Sequence, residues 1–350
     1  MKLLVVGDLS SAGHFLCKGF GELGIATTHI AYQNGWRENP IEINLTSPYK
    51  GMRGRLHSYT KPLLLGDLVG YDAILFLDYF VFPRTFGINS FAIKRLQENN
   101  GPSFLWILGC DSQLAKWGRI HNFELCNPCL LYDQKRLSCS LEKNEAEENR
   151  LLEGFVRIIP ASYEYYESHK YNKKTTHPIQ IAVDIDDVFI EKRIKKERLN
   201  IFHGLNRYGF KGTHIVENVF NSLRNQYSRK ADFLISGKMI YSEYIKLLAG
   251  QDIIVDQLFN KSLGVNSLLS LARGKILVAG DAMLGCHAYD IPLPPMISCD
   301  PSISGLDRSM RCLLDNYNDM GFDADDARAY VETYHSPKLV AQKFIQVFGW

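Results

Sequence analysis

Short apolar runs alternate with longer segments that carry one apolar face along most of the chain. The chain opens with the run LLVV and a glycine-containing loop, and Phe15, Leu16 and Phe20 then fall on one face of a helical pattern. Gly24 follows where such a helix would end, a frequent position for a glycine cap. The order of strand, loop and helix predicts the first repeat of a parallel α/β sheet.

The same alternation continues through both halves of the chain. In the first half IATTHIAY, YDAILFLDYF and SFLWILG predict strands, and SFAIKRLQENN predicts a helix. After a polar stretch that follows Pro160, a second series comprises LNIFHG, THIVENVFNSLRNQY, ADFLIS, SEYIKLLAG, DIIVDQL, GVNSLLSLARG and KILVAGD. We therefore expect an α/β fold of two Rossmann-like, doubly wound domains that face a cleft, with the ligand at the carboxyl ends of the strands.

Charge and composition exclude some classes of protein. Lys and Arg total 40 against 38 Asp and Glu, a net charge of +2, so nucleic acid is not an expected partner. The N-terminal apolar run is too short for a signal peptide, and eight cysteines without such a signal predict reduced thiols. We expect a cytoplasmic protein, and the small positive excess of the first half leaves a peripheral position at the inner face of the membrane open.

The segment IFHGLNRYGFKGTHIV places cations and glycines between a strand and a helix. A helix N-terminus favours an anion, and Arg207 and Lys211 add positive charge beside it. Gly204 and Gly212 would let the backbone approach a ligand, and His203 is a weaker third contact. A diphosphate fits these groups. The alternative is that both cations are solvated loop charges and that His203 merely ends the strand.

Several segments together resemble a known family. HGLNRYGFKGT, DIIVDQL, GVNSLLSLARGKILVAGD and YVETYHSPKLVAQKFIQVF occur in that order, and VVGDLSSAGHFLCKGFGELGI opens the chain. This set resembles the GT-B fold glycosyltransferases that include many bacterial polysaccharide enzymes. The resemblance implies an acceptor-side domain over 1–178, a nucleotide-sugar domain over 179–335 and a final helix over 336–350 that returns to the first domain.

The resemblance also implies the ligands and their contacts. The donor would be a nucleoside-diphosphate sugar of the UDP or GDP type, and the acceptor a glycan or a lipid-linked sugar. Arg207 and Lys211 would bind the diphosphate and stabilise the leaving group, so that catalysis needs no metal or other cofactor. The remaining donor contacts would come from Gly264, Val265 and Asn266 at a helix start, and from Gly237, Lys238 and Met239 beside the nucleobase.

One feature of the family is missing. Many retaining members carry two glutamates eight positions apart, and Lys261 and Leu269 occupy those positions here. A leucine cannot accept a hydrogen bond from ribose. The donor is therefore held differently, or held weakly, or the protein does not catalyse transfer. Lys261 either meets a phosphate or an acidic sugar, or is solvated.

Candidate catalytic groups lie in the first half. His14 follows the first glycine loop, where it can act as a base, bind a sugar hydroxyl or serve only as part of a helix start. Asp111 directly follows a buried strand and is either the base of an inverting reaction or a helix N-cap. Asp8 is a third candidate, and Asp78 receives no role although it also ends a strand. The acidic motif DIDD near residue 185 is interpreted as a solvated loop.

Four of the eight cysteines fall within thirty residues. Cys126 and Cys129 form a C-x2-C knuckle, and Cys139 with Cys110 or His121 would complete a tetrahedral zinc site. A structural zinc, free buried thiols, and an iron–sulfur or redox pair remain alternatives.

The sequence thus predicts a metal-independent glycosyltransferase, hexosyltransferase-like, that acts in surface polysaccharide biosynthesis. The alternatives are a non-catalytic protein that binds nucleotide sugars or glycans, and a sugar-nucleotide epimerase of the same fold.

Overall fold

The computed structural model describes residues 1–33, 39–121, 131–132, 142–191, 196–205, 207–237 and 239–350. Within them, parallel strands alternate with helices, which confirms the predicted α/β class and its two doubly wound sheets. The chain divides into two compact units. Unit 1 comprises Met1–Ala115, Ser138–Ala182 and Pro337–Trp350, and unit 2 comprises Lys116–Leu137 and Val183–Ser336.

The sheet of unit 1 has six parallel strands in the order β3-β2-β1-β4-β5-β6, the strand order of a Rossmann fold. The strands are β1 Lys2–Val6, β2 Ala26–Ala31, β3 Ile43–Asn44, β4 Ala73–Leu77, β5 Ser103–Ile107 and β6 Arg157–Pro160. Every residue of β4 and β5 is buried, as expected for central strands that helices cover on both faces. The polar groups that follow these two strands are therefore presented at one edge of a rigid core.

Six α-helices have described bounds in the part of the chain that precedes the second sheet. They are α1 Ala12–Glu22, α2 Gly51–Thr60, α3 Ile88–Glu98, α4 Ser112–Ile120, α5 Glu142–Glu153 and α6 Tyr163–His169. Phe15, Leu16 and Phe20 of α1 are buried, and Gly24 follows the helix at a φ of 75°, as the pattern predicts. The strand β6 and the helix α6 lie in or beside the polar stretch that the sequence pattern treats as a connection.

The sheet of unit 2 has five parallel strands in the order β11-β10-β9-β7-β8. The strands are β7 Leu199–Leu205, β8 Ala231–Gly237, β9 Ile253–Val255, β10 Ile276–Ala279 and β11 Ile297–Ser298. The helices are α7 Thr213–Gln226, α8 Tyr241–Ala249, α9 Val265–Ala272, α10 Met283–Tyr289, α11 Ile303–Asn316 and α12 Ala324–His335. The core that holds this sheet includes Phe220 and Leu306, both fully buried.

The last helix of the chain, α13 Pro337–Phe348, belongs to unit 1 and packs on α1. The ring of Phe344 lies 6.3 Å from that of Phe20 between their centroids. Gly19 allows the two helices to approach closely, because a Cβ added there would lie 2.1 Å from the carbonyl oxygen of Pro337. None of the described helices is both long and apolar enough to span a bilayer.

Candidate functional site

Two loops of unit 2 meet at the carboxyl ends of β7 and β9. The first connects β7 to α7 and the second connects β9 to α9. Leu258 N donates to Lys211 O over 3.3 Å, which joins the loops directly. A Cβ added at Gly204 would lie 3.8 Å from Asn266 Nδ2. The structure therefore brings together the β7–α7 loop and the start of α9, which the sequence analysis selected as donor contacts.

A buried ion pair lies beneath these loops. Lys211 Nζ donates to Asp256 Oδ1 over 2.8 Å, and Ser267 Oγ donates to Asp256 Oδ2 over 2.6 Å. Burial alone would raise the pKa of Asp256, but the charge of Lys211 and the hydrogen bonds to the carboxylate keep it below its usual range. The positive charge of Lys211 is thus already compensated within the protein.

His203 connects three elements of unit 2 from a fully buried position. Its Nδ1 lies 2.8 Å from Val255 O and its Nε2 lies 2.9 Å from Thr213 Oγ1, so the neutral ring donates to the carbonyl and accepts from the hydroxyl. Burial and the nearby charge of Lys211 lower its pKa to about 4. Both ring nitrogens are therefore occupied by the protein, and the ring links β7, β9 and the first residue of α7.

The start of α7 also uses its own polar groups. The backbone N–H groups of Lys211, Gly212 and Thr213 donate to the carbonyls of residues 207, 209 and 208 over 3.0–3.2 Å. The guanidinium of Arg207 lies over the Phe210 ring at 4.3 Å from its centroid and is partly exposed. Of the two predicted cations, Arg207 is thus the more accessible one.

Fewer polar groups are hydrogen-bonded at the start of α9 than at the start of α7. Within the described part of the chain, the N–H groups of Val265, Asn266 and Ser267 have no hydrogen-bond acceptor. Both polar atoms of the Asn266 side chain are buried without a hydrogen bond, although the amide is near enough to help lower the pKa of Asp256. Gln257 Oε1 and Asn260 Oδ1 are buried without partners as well.

Gln257 and Asn260 belong to the loop between β9 and α9, and Asn266 lies in the first turn of α9. A Cβ added at Gly264 would lie 2.7 Å from Gln257 Nε2, so the Gln257 amide lies against the residue that precedes α9. Buried polar groups in proteins are nearly always paired, so the unpaired side-chain oxygens of Gln257 and Asn266 beside this helix N-terminus point to a polar ligand. The free N–H groups and the helix dipole favour an anion there.

The other predicted donor contacts have a simpler placement. Gly237 ends β8 and its Cα faces Leu205 O so closely that an added Cβ would lie 1.7 Å away. Met239 is partly exposed, while Lys238 lies outside the described residues. Leu269 is 1% exposed within the core of unit 2, so its side chain is not available to a ribose. Lys261 is partly exposed beside α10, where its carbonyl accepts from Gly285 N over 2.9 Å.

A second polar cluster lies in unit 1 after β4 and β5. Asp111 Oδ1 accepts from Leu114 N over 2.8 Å and so caps α4. Asp111 Oδ2 lies 3.0 Å from His169 Nε2, at ion-pair distance but without hydrogen-bond geometry. Burial opposes protonation of His169, but Asp111 outweighs it and the pKa of His169 is raised. Both side chains are at most 2% exposed.

Asp78 stands at the accessible side of this cluster. It directly follows β4, is partly exposed, and has a left-handed φ of 94° that a side chain rarely adopts. Its Oδ1 accepts from Tyr79 N over 2.7 Å, and its Oδ2 would lie 2.3 Å from a Cβ added at Gly109. Burial and the carboxylates of Asp111 and Glu148 raise its pKa to about 7, against the opposing effects of Tyr79 N–H and His169.

The loop from β1 to α1 holds the remaining predicted groups. Asp8 Oδ1 accepts from Gly13 N over 3.0 Å and so fixes the start of α1. His14 is partly exposed in the first turn of that helix, with its ring 5.9 Å from that of Phe15 between centroids. Ser10 and Ser11 have left-handed φ values of 54° and 67°, which makes this loop a strained one.

Solved structures with different sequences share this architecture across the whole chain. Sucrose-phosphate synthase from Thermosynechococcus elongatus has a TM-score of 0.63 at 11% identity, over 99% of this chain and 98% of that one. HepE of Anabaena, in complex with UDP and glucose, has a TM-score of 0.58 at 14% identity over 100% and 99%. The catalytic domain of starch synthase IV from Arabidopsis thaliana, bound to ADP and acarbose, has a TM-score of 0.58 at 10% identity over 99% and 98%.

The chain has the GT-B glycosyltransferase fold. No protein-family model and no curated protein matches the sequence. The sequence motifs of the two halves, taken in order, resemble those of GT-B glycosyltransferases, and the structure confirms the predicted fold. In this GT-B chain, the β7–α7 and β9–α9 loops of unit 2 and the cluster after β4 and β5 of unit 1 are the candidate sites.

The GT-B structure also shows residues that sequence reasoning passed over. Asp256, Ser267 and Gln257 lie beside the predicted donor contacts, and Asp78 is a partly exposed carboxyl group in the polar cluster of unit 1. The sequence did contain a signal for Asp78 and Asp256 as site residues, because each directly follows a buried strand of an α/β pattern, where ligands bind. The proposed zinc ligands Cys126, Cys129 and Cys139 lie outside the described residues, and no metal-binding group of His, Cys, Asp and Glu occurs within them.

Proposed function

We propose that the protein is a glycosyltransferase that moves a sugar from a nucleoside-diphosphate sugar to a glycan or lipid-linked acceptor in surface polysaccharide assembly. The observation that carries this proposal is the start of α9, where free N–H groups and unpaired amides form a polar, anion-favouring site. The fold supports it, and so does the presence of UDP or ADP in structures of HepE and starch synthase IV. The acceptor would lie on the cytoplasmic side of a membrane.

In this proposal the donor diphosphate sits against the start of α9 and Arg207. The N–H groups of Val265 and Asn266 and the Asn266 amide would hold phosphate oxygens, and Arg207 would swing from the Phe210 ring to meet them. Fixed dipoles and one cation stabilise the negative charge that builds up on the leaving nucleoside diphosphate. No metal is required for that role.

Lys211 does not act as a free cation in this proposal. Its Nζ is buried and held by Asp256, so it contributes a fixed charge whose attraction for phosphate is largely compensated. His203 keeps Thr213 and the start of α7 in place through its two hydrogen bonds. We therefore assign positioning roles to Lys211 and His203, and direct donor contact to Arg207 and α9.

In unit 1 we assign the acid–base role to Asp78. Asp111 is buried, caps α4 and faces His169, which leaves it no open oxygen for a sugar. Asp78 is partly exposed, and a pKa of about 7 suits a group that takes up and releases a proton near neutral pH. His14 remains a second candidate, as a contact to a sugar hydroxyl.

Nucleotide binding is the test of this proposal. Thermal unfolding with UDP, GDP, ADP and CDP, alone and as sugar conjugates, should show that one nucleotide raises the melting temperature. Arg207→Ala and Asn266→Ala should reduce that shift, and Arg229→Ala, an exposed cation of the same unit, should not. If none of the nucleotides stabilises the protein, the proposal is wrong.

A non-catalytic nucleotide-sugar-binding protein is the second candidate. The observation that favours it is the pair of missing glutamates, since Leu269 is buried and Lys261 is a cation. Such a protein would bind the same nucleotide without turnover. An epimerase of the same fold would convert the donor sugar in the absence of any acceptor.

A further inference from the structure

One surface of unit 1 exposes large apolar side chains. Met52 and Leu56 of α2 are 86% and 64% exposed, and they lie four residues apart on one side of the helix. Gly54 is the only buried residue of α2, so this helix turns its apolar side away from the core, the reverse of an ordinary surface helix. The neighbouring Tyr49, Leu63 and Leu64 are exposed as well. We call these five residues, with the cations among them, the α2 surface.

The α2 surface is also strongly basic. Between Glu42 and Asp67 the sequence contains Lys50, Arg53, Arg55 and Lys61 and no acidic residue. Arg53 and Arg55 are exposed on either side of the line through Met52 and Leu56. In the described part of the chain, neither arginine forms a salt bridge or a side-chain hydrogen bond. Lys61 Nζ alone is engaged, with Asn44 O at 2.7 Å.

We propose that the α2 surface docks the protein on an anionic phospholipid bilayer. Exposed apolar side chains flanked by unpaired cations suit the boundary between acyl chains and headgroups. The apolar side chains enter the apolar layer there, and the cations meet the phosphate groups. Charge complementarity selects an anionic bilayer as the occupant, because the surface carries four cations and its sequence contains no acidic residue between Glu42 and Asp67. Single exposed apolar residues are normal, but these five fall within sixteen consecutive residues that also carry the four cations.

The inference rests on the proposed function in one respect only. A lipid-linked acceptor gives a reason for the protein to lie on a membrane, and docking would bring unit 1 to that acceptor. The interaction itself needs neither donor nor catalysis, so it can be measured on the full chain without a nucleotide sugar.

Flotation with vesicles tests the proposal. The protein should float with vesicles made from equal parts of phosphatidylcholine and phosphatidylglycerol, and not with phosphatidylcholine alone. High salt should weaken binding, since exposed charges are screened. Arg53→Glu/Arg55→Glu and Met52→Ser/Leu56→Ser should each reduce the bound fraction by about tenfold or more. The matched controls Arg229→Glu/Lys230→Glu and Leu293→Ser/Ile303→Ser alter exposed residues of unit 2 and should bind like the wild type.

Three outcomes would overturn the proposal. The first is wild-type protein that does not float with anionic vesicles, and the second is loss of binding in the unit 2 controls to the same extent. The third is absence of vesicle binding together with self-association that Met52→Ser/Leu56→Ser abolishes, which would make the surface an interface between copies of the chain. Thermal melting of each variant checks folding. Vesicle binding without nucleotide binding would refute the proposed transferase and leave the membrane surface intact.

Discussion

Lys211 Nζ lies 2.8 Å from Asp256 Oδ1, in a pair whose side chains are 9% and 0% exposed. The two residues are 45 positions apart and belong to different loops of unit 2. Their contact fixes the β7–α7 loop against the end of β9, from which the chain continues to α9. The same contact compensates the charge of Lys211, which the sequence analysis assigned to a phosphate group.

Removing one partner of this pair should be costly. Lys211→Met leaves a buried carboxylate without its cation, and we expect a loss of about 3–5 kcal/mol in the free energy of unfolding. Lys211→Met/Asp256→Asn should recover much of that loss, because the amide oxygen that replaces the carboxylate would still accept from Ser267. Urea unfolding of the wild type and the variants measures both values. A loss below about 1 kcal/mol for Lys211→Met would show that the carboxylate is not held by the lysine.

His203 should make unit 2 less stable in acid. Its pKa falls from 6.5 to about 4 on folding, so below pH 6.5 the unfolded chain takes up a proton that the folded chain rejects. Stability therefore falls as the pH drops from about 6.5 to 4, by about 3 kcal/mol in all. His203→Gln should remove this part of the pH dependence, and the difference between the two unfolding curves isolates it. A wild type and variant with parallel pH profiles would contradict a neutral, buried His203.

Asp78 should act on stability in the opposite direction. Its pKa rises from 3.8 to about 7 on folding, so the folded carboxyl keeps a proton that the unfolded chain releases. The folded state loses stability as the pH rises from about 3.8 to 7, and partial exposure reduces the effect to about 2 kcal/mol. Asp78→Asn should be more stable than the wild type at pH 8 and not at pH 4. Asp67→Asn, an exposed carboxylate of the same unit, should show no such gain.

Much of the fold follows from the sequence because it depends on local patterns. Buried parallel strands are continuous apolar runs, and β4 and β5 are recognisable from AILFL and SFLWI without any structure. The strand β6 and the helix α6 are harder, since RIIP is short and YEYYESH is polar. Their burial comes from the tertiary structure, as in the case of His169 against Asp111, and no local pattern reports such a partner.

The candidate site was predictable only in part for the same reason. The parallel α/β pattern places a ligand at the carboxyl ends of the strands, where the glycines and cations of the β7–α7 loop lie. Gly264, Val265 and Asn266 lie at the corresponding position after β9. Which of these groups are already used by the protein depends on contacts between distant residues. The partner of Lys211 follows β9, and the acceptors for the N–H groups of the α7 start come from the loop itself.

The contact between α1 and α13 can be tested with two neighbouring glycines. A Cβ at Gly19 would lie 2.1 Å from Pro337 O, whereas a Cβ at Gly21 would meet nothing within 4 Å. Gly19→Ala should destabilise unit 1 by about 1–3 kcal/mol through overpacking. Gly21→Ala, in the same helix, should gain about 0.5–1 kcal/mol from helix propensity. Equal melting temperatures for the two variants would contradict the close approach of α13 to α1.

The central claim is that this GT-B protein cleaves a nucleoside-diphosphate sugar. Release of nucleoside diphosphate from the donor that stabilises the protein, measured with and without glycan or lipid-linked acceptors, tests it most directly. We predict slow release without an acceptor, faster release with one, and a loss of about tenfold or more in Arg207→Ala and Asn266→Ala, in line with removal of one stabilising donor. Arg229→Ala should retain wild-type activity. Tight donor binding with no release of nucleoside diphosphate for any donor and acceptor would contradict the claim.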